Sequence, residues 1–365
     1  MGLKCGIIGL TNIGKTTLFN CISNTKAEIT NFAFSSNKSN IGMVNVPDQR
    51  LYQLEEFQET EKIIPTTVEL VDIPGLAKGA SKGEGVGNTF LADIRNTDAL
   101  IHVVRCFDDE NLPHIESSVD PARDKEIVDF ELQVRDLESV EKKIEKLAKQ
   151  AKSGDKMARE GVDALNKFKA HLEDFQSVRT GNFTEKEEEF IEDLSLLSAK
   201  PVLYVCNVDE SSASQGNHYV EKMKEAITGE NAELLVIAAG MEAEIAELEA
   251  ENDRNEFLEE MGLVEPGVDK LIRSAYKLLN LKTFFTVGPK EIRAWTIKEG
   301  MSAPQAAGVI HSDLERGFIR AEVMHYDDFV SLGSEQACKD KGKLHIEGKG
   351  YIVEDGDILH IRFNV

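Results

Sequence analysis

Short apolar runs alternate with helix-period stretches over the first hundred residues, and the same rhythm returns after residue 200. Residues 4–8 form an apolar run that ends in a glycine-rich turn, and 15–24 read as a helix. Residues 67–71 are a β-rich run leading into Asp72, and 99–104, 201–206 and 234–239 read as further apolar strands. Strands alternating with helices predict an α/β domain whose parallel sheet binds its ligand at the carboxyl ends of the strands. Two segments do not fit either period. Residues 27–45 are polar and irregular, with Phe32 and Phe34 exposed by pattern, and read as a mobile segment. Residues 75–87 carry glycine at positions 75, 79, 83, 85 and 87, too many for regular structure.

From about 129 to 200 the pattern changes. Val134, Leu137, Val140, Ile144 and Leu147 fall three or four apart with Lys and Glu between them, and a second such stretch covers 158–175. The break at Ser153-Gly154-Asp155 makes these two antiparallel helices, a coiled-coil-like arm inserted into the α/β domain. The chain differs again from residue 281. Short β-rich pieces at 282–287, 318–324, 351–353 and 358–363 surround a helix near 304–311, and Asp355-Gly356 is a hairpin turn signal between the last two. The expected organisation is therefore 1–128 with 200–280 as one domain, 129–199 as the arm, and 281–365 as a small α+β domain.

Bulk properties narrow the class. No window approaches the ~18 uninterrupted apolar residues of a membrane span, and no basic segment followed by an apolar stretch marks a secretory leader, so a cytoplasmic protein is expected. Five scattered cysteines without a C-x-x-C pair argue against zinc and against a disulfide framework. The formal net charge of −23 should repel free nucleic acid, and no DNA partner is expected. The charge is uneven, however. Residues 139–169 hold nine Lys/Arg against five Asp/Glu, whereas 242–265 hold ten acids and one Arg. The basic stretch suits either an RNA contact or a solvated helix face.

The chemistry is carried by three motifs. In "GLTNIGKTT", Gly9 and Gly14 let the backbone wrap with its N–H groups toward phosphates, Lys15 reaches the β and γ oxygens, and the Thr16 hydroxyl can ligate Mg2+. In "VELVDIPGL", Asp72 at a strand end can hold Mg2+ through water, and Gly75 can offer its N–H to a γ-phosphate. Together they identify a P-loop NTPase with a γ-phosphate switch. The residue after Gly75 is Leu76, which cannot orient water as a glutamine would, so another polar group must enter or hydrolysis is very slow. His102 lies in an apolar strand and reads as a packed core residue, whereas His114 lies in a polar loop and is the better catalytic candidate. The third motif is "NVDE". A guanine reader of the N-K-x-D type pairs its Asp with guanine N1–H and N2–H2, but here Glu210 occupies that position and Val208 replaces the Lys that packs along the base. Guanine selectivity should be lost and adenine admitted through Asn207 and backbone groups; the alternative is that Asp209 reads guanine after a register shift.

These residues, with "NFAF", "VDIPGLAKGASKGEGVGNTFL", "VVRCF" and "GFIRAEV", resemble the YchF (Obg-like ATPase) subfamily of the Obg-related P-loop proteins over essentially the whole chain. The resemblance implies a P-loop nucleotide domain interrupted by a helical coiled-coil arm, then a C-terminal domain of β-grasp, TGS type. It implies ATP preferred over GTP, Mg2+ dependence, slow intrinsic hydrolysis, association with ribosomes and, through the TGS domain by analogy, RNA contact; a monomer is expected. By the family's pattern the ATP phosphates would rest on Asn12, Ile13, Gly14, Lys15, Thr16 and Thr17, with the base near Asn207, Val208 and Met241. Mg2+ would be held by Thr16 and the switch residue Ser36, and the hydrolytic histidine falls on His114. The chain departs from the pattern at Thr11, usually Pro, and Thr16, usually Ser, both mild changes by this reading. It also departs across 34–40, where a Pro and an Ile are lost, and at Ala238-Ala239 near the base. The expected function is a slow ATPase switch. A protein using nucleotide only as a structural ligand and a conventional GTPase are the other readings.

Overall fold

The computed structural model describes residues 3–23, 39–76, 86–248 and 250–364. The chain begins with strand β1 (Lys4–Ile8), helix α1 (Lys15–Ser23), strand β2 (Asn40–Asn45), helix α2 (Gln49–Gln53) and strands β3 (Ile63–Ile64) and β4 (Thr67–Asp72). Helix α3 (Val86–Arg95), strand β5 (Ala99–Arg105) and helices α4 (Pro121–Lys152), α5 (Lys156–Glu173) and α6 (Glu185–Glu188) follow. Next come strand β6 (Val202–Asn207), helix α7 (His218–Ala226), strand β7 (Glu233–Ile237) and helices α8 (Ala239–Glu247), α9 (Glu251–Glu260) and α10 (Gly267–Leu278). The rest is β8 (Leu281–Val287), β9 (Ile292–Lys298), α11 (Ala303–Ile310), α12 (Ser312–Arg316), β10 (Phe318–His325), α13 (Tyr326–Leu332), α14 (Glu335–Asp340), β11 (His345–Glu347) and β12 (Asp357–Phe363). No described helix is long and apolar enough to cross a membrane.

The chain forms two compact units, Met1–Gly42 with Glu69–Leu271, and Met43–Val68 with Ile272–Val365. The first is organised by a six-stranded sheet of order β2-β4-β1-β5-β6-β7. Strands β4, β1, β5, β6 and β7 pair in parallel, so their carboxyl ends share one edge. Every residue of β5 and β6 is buried, as a sheet covered on both faces requires. The register pairs Ile7 with Asp72, Ile8 with His102 and Arg105 with Asn207. That places the ends of the phosphate-loop strand, the Asp72 strand and the Asn207 strand side by side.

Helices α4 and α5 form an antiparallel hairpin: Lys169 pairs with Glu141 at 2.7 Å, and Gly161 lies against Leu147, where a β-carbon would come within 2.9 Å. Val140, Leu165, Phe168 and Leu172 fill the seam with Val178 and Leu196. The turn uses Gly154 at φ +96° and Asp155, whose carboxylate caps α5 at the Ala158 N–H. Helix α4 begins at 121, not near 129, because Asp120 caps it and Pro121 occupies its first position. Its first turns bury Asp124, Lys125, Asp129 and Glu131 among Val128 and Leu132, so charges interrupt the apolar periodicity that would mark them. Asp136, further along, accepts the N–H groups of Leu197 and Ser198 at 2.8 and 2.7 Å and the Ser198 hydroxyl at 2.6 Å. This buried carboxylate fastens the returning chain just before β6.

The second unit has a mixed six-stranded sheet of order β11-β10-β12-β8-β9-β3. It includes 43–68, which the sequence pattern assigns to the nucleotide domain. Leu51 and Leu54 bury in one cluster with Phe285, Ile292, Met324 and Phe329, and β3 extends the sheet beside β9. Three local expectations are corrected. Residues 40–45 form a strand with alternating burial instead of irregular structure. Residues 351–353 are not a strand: Ile352 makes only an isolated bridge to Ser302. Asp355-Gly356 is a turn but not a hairpin, because β12 pairs antiparallel with β10 and parallel with β8. The Asp355 carboxylate instead receives the Thr283 N–H and Arg50, each at 2.8 Å, while Gly356, at φ +88°, donates its N–H to the Thr283 carbonyl. Phe32 and Phe34 and most of the 75–87 glycine run lie outside the described residues; regular helix resumes at Val86.

Candidate functional site

The loop from Gly9 to Gly14 leaves β1 and enters α1 with left-handed backbone at Gly9 (φ +143°), Asn12 (φ +58°) and Gly14 (φ +91°). Both glycines are sterically required. A β-carbon on Gly9 would lie 2.4 Å from the Val103 carbonyl oxygen, and one on Gly14 would lie 2.3 Å from Asn207 Nδ2. Lys15, at the start of α1, is buried and hydrogen-bonds the Leu10 carbonyl, folding its ammonium back over the loop. Burial lowers its pKa to about 8, partly opposed by the Asp72 carboxylate.

Thr16 donates its hydroxyl to Asp72 Oδ2 at 3.0 Å. Burial raises the Asp72 pKa, against the opposing influences of Lys15, Thr16 and the Asn40 side chain. A hydroxyl and a carboxylate side by side at a strand edge form a hard-oxygen pair of the kind Mg2+ takes, and the residues present fit such an ion. The glycine-bounded loop fits a polyphosphate. Ser36, the third expected metal ligand, lies outside the described residues.

Gly75 meets the loop directly: a β-carbon there would come within 2.7 Å of Thr11 Cγ2 and 2.9 Å of Thr11 Cα. Leu76 donates its N–H to the Gly9 carbonyl at 3.0 Å, forms an isolated parallel bridge with Leu10, and is 1% exposed. It is locked as core. Thr11 itself is buried, and its hydroxyl has no hydrogen-bond partner among the described residues.

Asn207, at the end of β6, donates Nδ2 to the Ile13 carbonyl at 2.9 Å and accepts the Ala239 N–H on Oδ1 at 3.0 Å. It thus ties the phosphate loop to the start of α8, and its amide is engaged by main chain on both sides. Val208 is 3% exposed, and Met241 is buried in the first turn of α8. Glu210 opens a short 3-10 turn, Glu210–Ser212, with its side chain exposed. The Asp209 carboxylate is occupied locally, accepting from Ser212 N–H and from the Ser211 and Ser212 hydroxyls, which hold it below the usual carboxylate range.

His114 lies in the loop after β5. Arg105 organises this loop by donating to the carbonyls of Phe107 and Leu112, and Cys106 enters it by donating its N–H to the Asn207 carbonyl at 2.7 Å. The imidazole is nearly buried: Nδ1 accepts the Glu116 N–H, and Nε2 lies 2.9 Å from Asp124 Oδ2 without an aligned hydrogen bond. Among the described residues it makes no hydrogen bond to the phosphate loop. Burial raises the Asp124 pKa, with Arg123 and His114 opposing. His102 is buried in β5 beside Tyr204, and burial lowers its pKa to about 3, as suits a packed neutral ring. Sequence reading passes over Asn40, Asn207's role as a strut, and the Thr11 hydroxyl. Asn40 and Asn207 matter through contacts with distant segments, which spacing does not encode, and Thr11 Oγ1 stands out only by its burial without a partner among the described residues. A cavity of about 640 Å3 lined by Lys125, Asp129, Phe130, Gln133, Phe175 and Glu230, among others, lies elsewhere and shares no lining residue with the phosphate loop.

Two family models match. One described as 50S ribosome-binding GTPase covers residues 4–154, and one named YchF-GTPase_C, described as a protein of unknown function, covers 281–364. The chain is 49% identical to the ribosome-binding ATPase YchF of Bacillus subtilis (strain 168) and 47% identical to that of Escherichia coli O157:H7, in each case over 100% of both chains. A solved structure, the Schizosaccharomyces pombe YchF GTPase, superposes with a TM-score of 0.86 at 36% identity, covering 99% of this chain and 98% of that one. With the P-loop site and whole-length similarity together, the chain belongs to the YchF family of P-loop nucleotide-binding proteins.

Proposed function

We propose that this chain is a Mg2+-dependent ATPase switch that prefers ATP to GTP, hydrolyses it slowly, and associates with the ribosome in a nucleotide-dependent way. The observation that carries the reading is the Lys15–Thr16–Asp72 arrangement beside the glycine-bounded loop. The names of its full-length relatives, ribosome-binding ATPases, support the same reading.

In this account residues 12–17 bind the phosphates, Lys15 neutralises their charge, and the Gly75 N–H faces the γ-phosphate. Mg2+ when bound spreads the charge that develops on the β and γ oxygens; Thr16, Asp72 and Ser36 would hold it. Val208, Glu210 and Met241 shape the base side, while Asn207 holds the loop in place instead of reading the base edge. Glu210 is one methylene longer than the Asp of a guanine reader, which supports ATP. His114 orients water after a movement of its loop, with Asp124 fixing the ring. Residues 129–199 act as a coiled-coil arm and 281–365 as a TGS-type domain, and one or both contact the ribosome, RNA included. The protein works as a cytoplasmic monomer without a DNA or membrane partner.

Two observations favour other readings. The solved Schizosaccharomyces pombe relative is named a GTPase, and the buried Leu76 suits a protein that binds nucleotide without hydrolysing it. Turnover of ATP that disappears in Lys15→Ala, with ribosomes co-sedimenting in the ATP-bound state, supports the ATPase reading. Negligible turnover under every condition, together with tight ATP binding, contradicts it.

A further inference from the structure

We propose that the Thr11 hydroxyl contacts the terminal phosphoryl group and so reports whether the bound nucleotide is a triphosphate or a diphosphate. The inference rests on the nucleotide reading above and assigns a role to a residue that the family pattern leaves as a mild replacement of proline. Three observations converge on it. Thr11 Oγ1 is buried and has no hydrogen-bond partner among the described residues. A hydroxyl withdrawn from water without a partner costs free energy, and a native site retains one where something else satisfies it. Second, Thr11 lies against Gly75, with the Gly75 α-carbon so near that an added β-carbon would fall 2.7 Å from Thr11 Cγ2 and 3.0 Å from its nitrogen. Gly75 is the residue whose N–H faces the γ-phosphate in this account, so the Thr11 side chain that carries the hydroxyl belongs to the γ end of the loop. Third, the neighbouring position that would carry a water-orienting glutamine holds Leu76, which is buried and tied by its N–H to Gly9. Thr11 is therefore the hydroxyl-bearing side chain that the loop itself brings against Gly75, packed there through its Cγ2 methyl. Proline there could neither donate nor accept through its side chain.

A hydroxyl that donates to a phosphoryl oxygen stabilises the triphosphate complex and has nothing to donate to in the diphosphate complex. Thr11→Val keeps the Cγ2 packing on Gly75 and replaces the hydroxyl with a methyl of similar size; Thr11→Ser keeps the hydroxyl and removes Cγ2. The test is calorimetric binding of AMPPNP and of ADP, each with Mg2+, to the full chain and both variants, with thermal melting of each protein without nucleotide. The expected result is that Thr11→Val weakens AMPPNP about tenfold or more, as loss of a hydrogen bond to a charged group does. ADP affinity should be unchanged, the melting temperature no lower, and AMPPNP affinity restored in Thr11→Ser. Unchanged AMPPNP affinity in Thr11→Val overturns the proposal. So does an equal loss for both nucleotides, or a lower melting temperature, since each assigns the hydroxyl to the loop's own structure. If the parent binds neither nucleotide, the nucleotide reading fails and the inference fails with it.

Discussion

Asn207 donates its side-chain amide to the carbonyl oxygen of Ile13, across 194 positions of sequence, at 2.9 Å. Its carbonyl oxygen accepts the Ala239 N–H at 3.0 Å, so one side chain sets both the curvature of the phosphate loop and the start of α8. Asn207→Ala leaves a buried carbonyl and a buried N–H without partners. We expect a loss of about 2–4 kcal/mol in stability, and nucleotide affinity reduced at least as much as in variants that touch phosphate directly. Denaturant melts and nucleotide titration check both. A stable Asn207→Ala protein with unchanged affinity would contradict the strut role.

Lys15 gives a pH dependence with a defined sign. Burial lowers its pKa to about 8 from the ordinary lysine value of 10.5. Between those values the unfolded chain holds a proton that the folded chain has released, so this group makes stability rise with pH across that window. Phosphate binding needs the protonated form and therefore has the opposite slope. ATP affinity should fall as pH rises above about 8, by up to about tenfold per unit, and Lys15→Met should lose that dependence along with most of the affinity. A flat profile from pH 7 to 10 in the parent would contradict it.

His114 is held by Asp124 and the Glu116 N–H, away from any hydrogen bond to the phosphate loop. If it orients water, both His114→Ala and Asp124→Asn should slow ATP turnover with little change in ATP affinity; general acid–base or positioning groups of this kind typically contribute ~10²–10⁴-fold. Steady-state turnover with and without ribosomes is the measurement. Variants as fast as the parent in both conditions would remove the role.

The arm depends on a carboxylate as much as on its apolar seam. Asp136→Ala orphans two backbone N–H groups and the Ser198 hydroxyl, and should cost about 3 kcal/mol or more. Phe168→Ala, which empties the seam where Phe168 stacks on Phe183, should cost about 3–5 kcal/mol. Neither should alter the phosphate loop, so ATP affinity at a temperature where the variants are folded should match the parent.

Sequence reading finds what contiguous residues determine. Strands β1, β4, β5 and β6 are legible to within a residue or so because their apolar runs are buried and bounded by turns. The phosphate loop is legible because its chemistry needs fixed spacing. What escapes depends on partners far away in sequence. Asp355-Gly356 has the local look of a hairpin, but Thr283 and Arg50 decide what the turn does. The first turns of α4 bury charges that are paired, Lys125 with Asp129 and Glu230, so the apolar stripe there is interrupted and does not stand out. Residues 43–68 follow the C-terminal unit through Leu51 and Leu54, a placement only the folded cluster shows. The 318–324 and 358–363 runs are legible as strands, but their pairing order is not.

In this reading the base side of the site, Val208 and Glu210, selects ATP, and the decisive measurement is equilibrium binding of ATP and GTP analogues with Mg2+. Val208 is 3% exposed, so a lysine there would disturb packing, and the cleaner comparison is the parent with Glu210→Asp, whose side chain is exposed. The parent should prefer ATP, and Glu210→Asp should move the ratio toward GTP by restoring a carboxylate at guanine-pairing reach. A parent that prefers GTP would contradict it.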